Sequence, residues 1–225
     1  MCLWCEIPLA EKKAFWQEHS REGIQFKDKD VTRLKINLLG DADCETMSLL
    51  GAFNAKCYPY RHERKPYLQF KLLMFQGNPC ELLFTNITGE ENYMLRVAMY
   101  MGADVTLLCY SVDCQKSFAN ISNKWFPEVK SHCPKTPVIL VGLRRNDETE
   151  QSSHKLHENR PVVTVNSGKK LRSAIGASDF MECSALKGEG VEDVLESAIK
   201  AALKNRKKEQ LKRRLRGFVS CCTFP

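Results

Sequence analysis

Gly40-Asp41-Ala42-Asp43-Cys44-Glu45-Thr46-Met47 is the stretch whose residue spacing comes nearest to a chemical site. It follows an alternating apolar segment (Leu34, Ile36, Leu38) and leads into the helix-like run Ser48-Leu49-Leu50-Gly51-Ala52-Phe53. A strand, a glycine turn and a helix start are what a phosphate cradle needs, because helix N-terminal N–H groups and bare glycine backbone bind anions. A working cradle reads G-x-x-x-x-G-K-S/T. Counted from Gly40, Glu45 stands at the second glycine, Thr46 at the lysine and Met47 at the Ser/Thr that holds Mg²⁺. Asp41, Asp43 and Glu45 place three acids where a polyphosphate needs a cation. A shifted register lets Thr46 or Ser48 supply one metal ligand, but no register restores the lysine.

The elements that must hold such a loop are legible as apolar runs. Val105–Val112 and Val138–Gly142 are short and continuously apolar, as expected of strands buried on both faces of a parallel sheet. Residues 67–76 and 80–86 read as two strands around a turn at Gly77-Asn78-Pro79. Helical stretches are expected near 115–131 and 167–176. A last helix starts near Val191, with Val194, Leu195, Ala198, Ile199 and Ala202 at helical spacing. Strands alternating with helices predict an α/β three-layer fold, its ligand site at the carboxyl ends of the strands.

Composition narrows the class further. A chain of 225 residues suits one domain with tails, enough to bury a single core. Hydrophobic content of 43% and a mean hydropathy of −0.37 describe a soluble globular protein. No apolar run approaches the ~18 residues a membrane span needs, and residues 1–20 lack the apolar core of a signal peptide. Of the eleven cysteines, Cys80, Cys109 and Cys183 fall in strand-like runs, where a free thiol acts as a small hydrophobe, so a reducing compartment is expected. Cys2 and Cys5 have C-x-x-C spacing, but no second pair or βαβ context accompanies them.

Longer motifs carry a family resemblance. Val105-Thr106-Leu107-Leu108-Cys109-Tyr110-Ser111-Val112-Asp113, Ser117-Phe118-Ala119-Asn120-Ile121, and Lys124-Trp125-Phe126-Pro127-Glu128-Val129 resemble the Rho branch of Ras-like small GTPases. So do Cys133-Pro134-Lys135-Thr136-Pro137-Val138-Ile139-Leu140-Val141-Gly142 and Phe180-Met181-Glu182-Cys183-Ser184-Ala185, the latter followed by Gly190-Val191-Glu192-Asp193-Val194. The resemblance implies the P-loop small-GTPase fold, a mostly parallel six-stranded sheet with helices on both faces. It sets three segments: an N-terminal extension over 1–32, the domain over 33–203 with a polar insert at about 143–165, and a basic tail over 204–225. It also implies a GTPase with GTP or GDP and Mg²⁺ as cofactors, and effectors or regulators of Rho-type pathways as partners.

Position by position, the resemblance points to lost chemistry. The family's D-T-A-G-Q-E motif is matched by Asn86-Ile87-Thr88-Gly89-Glu90-Glu91. Asn86 replaces a magnesium-holding aspartate, and Glu90 replaces the glutamine that orients the attacking water. Gly89 is retained, either for close approach to a γ-phosphate or because the turn needs glycine. The switch threonine that contacts Mg²⁺ has no counterpart, since no serine or threonine lies between Leu49 and Phe84; Tyr67 stands in its place. Met47, Tyr67 and Asn86 thus occupy the three magnesium positions, and no bound metal is expected. The guanine-reading N-K-x-D motif is replaced by Leu143-Arg144-Arg145-Asn146-Asp147. Either Asn146 substitutes for the aspartate or a short deletion has removed the motif. Ser184 and Ala185, of the third base-contacting loop, are kept. Each charged hydrogen bond to phosphate is worth ~1.5–3 kcal/mol, so losing three or four plus the metal contacts removes on the order of 5–10 kcal/mol, roughly four to seven decades of affinity.

The net charge of +7 is localised. Residues 204–216 hold eight Lys or Arg and one acid, and removing them from the totals leaves 26 basic and 26 acidic residues elsewhere. Such an arm suits an anionic membrane surface on the cytoplasmic side. Cys221 and Cys222 are candidates for palmitoylation, whereas Cys222-Thr223-Phe224-Pro225 departs from a prenylation box at both Thr223 and Pro225. The same arm could serve nuclear localisation, giving a nuclear fraction. No aromatics interleave the basic run, so nucleic acid is not an expected partner. Three functions follow: a membrane-associated pseudo-GTPase acting through protein contacts, with no cofactor; an atypical but working GTP-dependent switch in cytoskeletal or polarity signalling; and a basic-tailed nuclear or nucleic-acid-associated protein.

Overall fold

The computed structural model describes residues 30–54, 68–89, 91–144 and 162–221, the last seven of these by their backbone alone. Tyr67, Glu90, Asn146, Cys222 and the side chain of Cys221 lie outside the described residues.

Apolar alternation builds the sheet. β1 (Thr32–Leu39), β2 (Leu68–Phe75), β3 (Asn78–Ile87), β4 (Val105–Ser111), β5 (Val138–Leu143) and β6 (Asp179–Cys183) form one six-stranded sheet ordered β2-β3-β1-β4-β5-β6. Among the described strands the β2–β3 pair is antiparallel, and β1–β3, β1–β4, β4–β5 and β5–β6 are parallel. Successive residues of each central strand point to opposite faces. Leu34, Ile36 and Leu38 of β1, with Val105, Leu107 and Cys109 of β4, pack on α1 (Thr46–Asn54) and the last helix, α6 (Val191–Cys221). Leu39, Leu108, Tyr110 and Leu140 face the other layer. That layer comprises α2 (Tyr93–Tyr100), α3 (Gln115–Asn120), a π-turn (Ile121–Trp125), α4 (Phe126–His132) and α5 (Val165–Ile175).

One sequence expectation is corrected. The hairpin turn is Gln76-Gly77, both at positive φ (49° and 77°), so Asn78 and Pro79 already belong to β3, opposite Phe75 and Met74. Pro79 is tolerated because the β1 ladder starts one residue later, at Thr32–Cys80, and leaves its missing N–H unneeded. The helical stretch expected near 115–131 is present over Gln115–His132, running unbroken through a π-turn that ends on fully buried Trp125.

At the strands' N-terminal edge, Lys35 donates from Nζ to the carbonyls of Met99 (2.7 Å) and Met101 (2.8 Å). Asp104 accepts from the Lys35 backbone at 2.8 Å and pairs with Arg206 of α6 through two bonds of 2.5 and 2.6 Å. α6 therefore runs the full height of the sheet and continues beyond it, and position 203 falls inside this unbroken helix. Lys204 to Arg216 contains neither glycine nor proline and is rich in strong helix formers, so nothing local stops the helix there.

Candidate functional site

The parallel strands end together at Gly40, Gly89, Val112, Arg144 and Ser184, the edge where an α/β sheet binds ligands. The β1–α1 loop runs from Gly40 through a short 3-10 turn (Ala42–Cys44) into α1. Glu45, at the position of the second glycine, adopts φ 48°, ψ 31° in the left-handed region, where non-glycine residues are strained. Its carbonyl starts α1 by accepting from Ser48 N (2.9 Å) and Leu49 N (3.2 Å). Gly40 is required by packing: a Cβ there would lie 2.6 Å from the Cys109 carbonyl oxygen of β4. Cys44 is buried, and that burial pushes its thiol up to about 11, which leaves it inert as a nucleophile.

Asp41 of the loop turns to the protein rather than outward. The Asp41 carboxylate accepts from Trp125 Nε1 (2.8 Å) and Asn120 Nδ2 (2.7 Å), so each oxygen has an internal donor. Thr46 is buried, and Met47 is exposed at the surface. Gly89 sits at φ 87° beneath Trp125, and a Cβ there would meet a ring carbon at 2.5 Å. Packing alone therefore demands glycine. Its N–H donates to the Glu91 carboxylate at 2.8 Å, and Thr88 donates to the same group from N (3.1 Å) and Oγ1 (3.2 Å). Burial works to raise the Glu91 carboxyl, but these hydrogen bonds outweigh it and hold its pKa below the ordinary value. The carboxylate thus takes the backbone donor that would otherwise face an incoming anion. Asn86 is buried in β3, its Oδ1 without a hydrogen-bond partner among the described residues.

On the base-reading side, Leu143 is buried as the last residue of β5, paired with Cys183. Arg144 forms an ion pair with Glu182 (2.7 and 3.1 Å). The Ser184 loop is closed by Ser184 N to the Glu189 carbonyl and by Lys187 N to Ser184 Oγ (3.3 Å). Ala185 packs against the main core beside it.

The structure brings Asp41 and Gly89 together on Trp125 and sets Gly40 against Ile87, at the end of the strand that carries Asn86. Sequence reading missed Asn120, Lys124, Trp125 and Glu91 as site residues. Lys124 Nζ lies 3.9 Å from the centre of the Trp125 ring and close over Gly89. The Trp125 run was legible as a motif, but not as the partner of an aspartate 84 residues away.

Comparison with known proteins agrees with this architecture. A family model described as "Ras family" matches residues 35–204. "Rho-related GTP-binding protein RhoB" of Homo sapiens is 35% identical over 195 residues, covering 84% of this chain and 96% of that protein. The Mus musculus RhoB matches equally, and "Rho-related GTP-binding protein RhoD" of Homo sapiens is 33% identical over 192 residues, covering 84% of this chain and 91% of that protein.

Proposed function

The chain belongs to the Ras family of small GTPases, on its Rho branch, and from that premise we propose that it is a pseudo-GTPase: a membrane-associated interaction module that keeps the fold without cycling on GTP. One observation carries the reading: Asp41, in the loop at the cradle's position, is already engaged by Trp125 and Asn120. A magnesium polyphosphate does not fit these donors. It would meet Asp43 and Glu45, no lysine at position 46, and a thioether where a hydroxyl ligand belongs. Asn86 Oδ1 offers one neutral acceptor in place of a carboxylate. Gly89's N–H is committed to Glu91.

Partners of such a module are protein effectors or regulators, as expected for a Rho-branch chain. The exposed apolar side chains of α2 (Tyr93, Met94 at 73% exposure, and Leu95) offer them a surface. The basic arm places the protein on the cytoplasmic face of membranes, with acylation of Cys221 and Cys222 making the attachment durable.

A second reading, a working but atypical GTP switch, draws on the retained left-handed geometry at Glu45 and on the nearby Lys124 ammonium. Denaturing the purified protein and chromatographing the released small molecules separates the two. The proposal expects no stoichiometric GDP or GTP, and no rise in Tm when excess GTP and Mg²⁺ are added, since a ligand that binds the native state must stabilise it. Bound nucleotide, or a rise of several degrees, overturns it.

A further inference from the structure

α6 packs on the body through Val191, Val194, Leu195, Ala198, Ile199 and Ala202, a stripe at helical period. Arg206 and Glu209 extend that same stripe as clamps, to Asp104 and to Lys135 (3.7 Å). Gln210 to Arg214 are all exposed, and the helix backbone continues to Cys221, about 12 residues or ~18 Å beyond the Glu209 contact. A second stripe runs along the side of α6 turned away from the body, two residues (about 200°) around from the first. It starts with Lys200, Lys204, Lys207 and Lys208, all exposed, and continues with Leu211, 59% exposed. The unbroken helix carries this register on to positions 215, 218 and 219, occupied by Leu, Phe and Val.

We infer that this outward ridge of α6, from Lys200 to Val219, lies flat on an anionic membrane, its lysines at the headgroups and its distal apolar positions in the interface. The inference deepens the membrane half of the proposed function and does not depend on nucleotide state. Charge complementarity selects the surface. Four lysines lead the ridge, Lys212 and Arg214 flank its apolar end, and the adjoining segment 210–221 contains no acid. An apolar stripe bordered by Lys and Arg is the pattern of a helix lying in the interface plane. A loose polybasic tether would let the domain tumble, whereas the Arg206–Asp104 clamp joins this helix rigidly to the body. α2, with its exposed Tyr93, Met94 and Leu95, lies in the opposite layer and would face away from the lipid, open to protein partners.

The test uses unacylated full-length protein and vesicles of phosphatidylcholine with or without 30% phosphatidylserine, at about 0.15 M salt, the composition serving only to set the surface charge. Lys204→Gln/Lys208→Gln removes two ridge charges. Arg213→Gln/Arg216→Gln removes two charges from the other sides of the same helix and serves as the control. Lys204, Lys208 and Arg213 are exposed, and equal unfolding midpoints in urea for the two double variants and the unaltered protein check that folding is intact. The ridge pair should weaken binding to phosphatidylserine vesicles on the order of thirtyfold, at the scale of a membrane-proximal basic residue. The control pair should weaken it by less than about fivefold. Leu211→Trp should be quenched by brominated lipid. Equal losses in the two pairs, or an unquenched Trp, overturn the flat ridge while leaving membrane location intact. Failure of the unaltered protein to bind these vesicles while it binds duplex DNA overturns the ridge and the membrane reading together.

Discussion

Trp125→Phe is the most direct probe of the self-occupied loop. The change removes the Nε1–H donor that holds Asp41 at 2.8 Å and leaves Asn120 as the remaining partner. A hydrogen bond to a charged acceptor is worth ~1.5–3 kcal/mol, and because Asp41 is only half-buried, water can replace part of it, so about 1.5 kcal/mol is the working figure. Trp125 is fully buried, and losing part of its ring area adds a packing cost of roughly 1–2 kcal/mol. The total, about 3 kcal/mol, corresponds to a Tm decrease of roughly 6–12 °C for a domain of this size. Packing alone could imitate that result, so the assay is a double-mutant cycle in urea with Asp41→Ala. If the bond latches the loop, the double variant should be less destabilised than the sum of the singles by about 1 kcal/mol or more. Additivity within ~0.5 kcal/mol would mean that Trp125 and Asp41 act independently, and the self-occupied loop would lose its physical basis.

Two further outcomes check the neighbouring turn. Gly89→Ala should cost about 2–4 kcal/mol in urea unfolding, from left-handed backbone strain plus the 2.5 Å approach to Trp125; a loss under ~1 kcal/mol would mean that packing does not require the glycine. Glu91 has a folded pKa depressed by its hydrogen bonds, so its contribution is present above the unfolded value of about 4.3 and is lost as pH falls through the folded one. The stability gap between the unaltered protein and Glu91→Gln should therefore be open at pH 7 and close as pH drops below about 4, and a gap independent of pH refutes the charge-based account.

The central strands were legible because burial on both faces demands continuous apolar runs, and Val105–Ser111 and Val138–Leu143 have them. The hairpin was misplaced by one residue because Gly77-Asn78-Pro79 has turn chemistry, whereas Gln76, which shares the positive-φ turn with Gly77, has none. Within the site, Glu45, Thr46 and Met47 could be assigned from the eight-residue spacing of one loop, a local property. The Asp41 latch could not. It joins residues 79 and 84 positions apart and depends on how β1 and the π-turn converge, which no short-range pattern encodes. The length of α6 was hidden for a different reason: a run of Lys and Arg reads equally as a solvated tail or a helix, and packing through Ala202 with the Arg206 clamp decides between them.

The shape of the β1–α1 loop is poor evidence for a ligand in this chain. A left-handed glutamate costs roughly 1–2 kcal/mol relative to a relaxed backbone, and in a cradle holding phosphate that strain has an obvious reward. Here the compensation is visible within the protein. The Glu45 carbonyl caps α1, Cys44 is buried beneath the loop, Gly40 is pressed against β4, and Asp41 is tied to Trp125 and Asn120. Each contact fixes the path of the chain without a phosphate. A conformation maintained by internal contacts carries no information about an external one. What separates a cradle from its outline is charge, and the sequence of this loop carries Asp43 and Glu45 and no lysine at position 46.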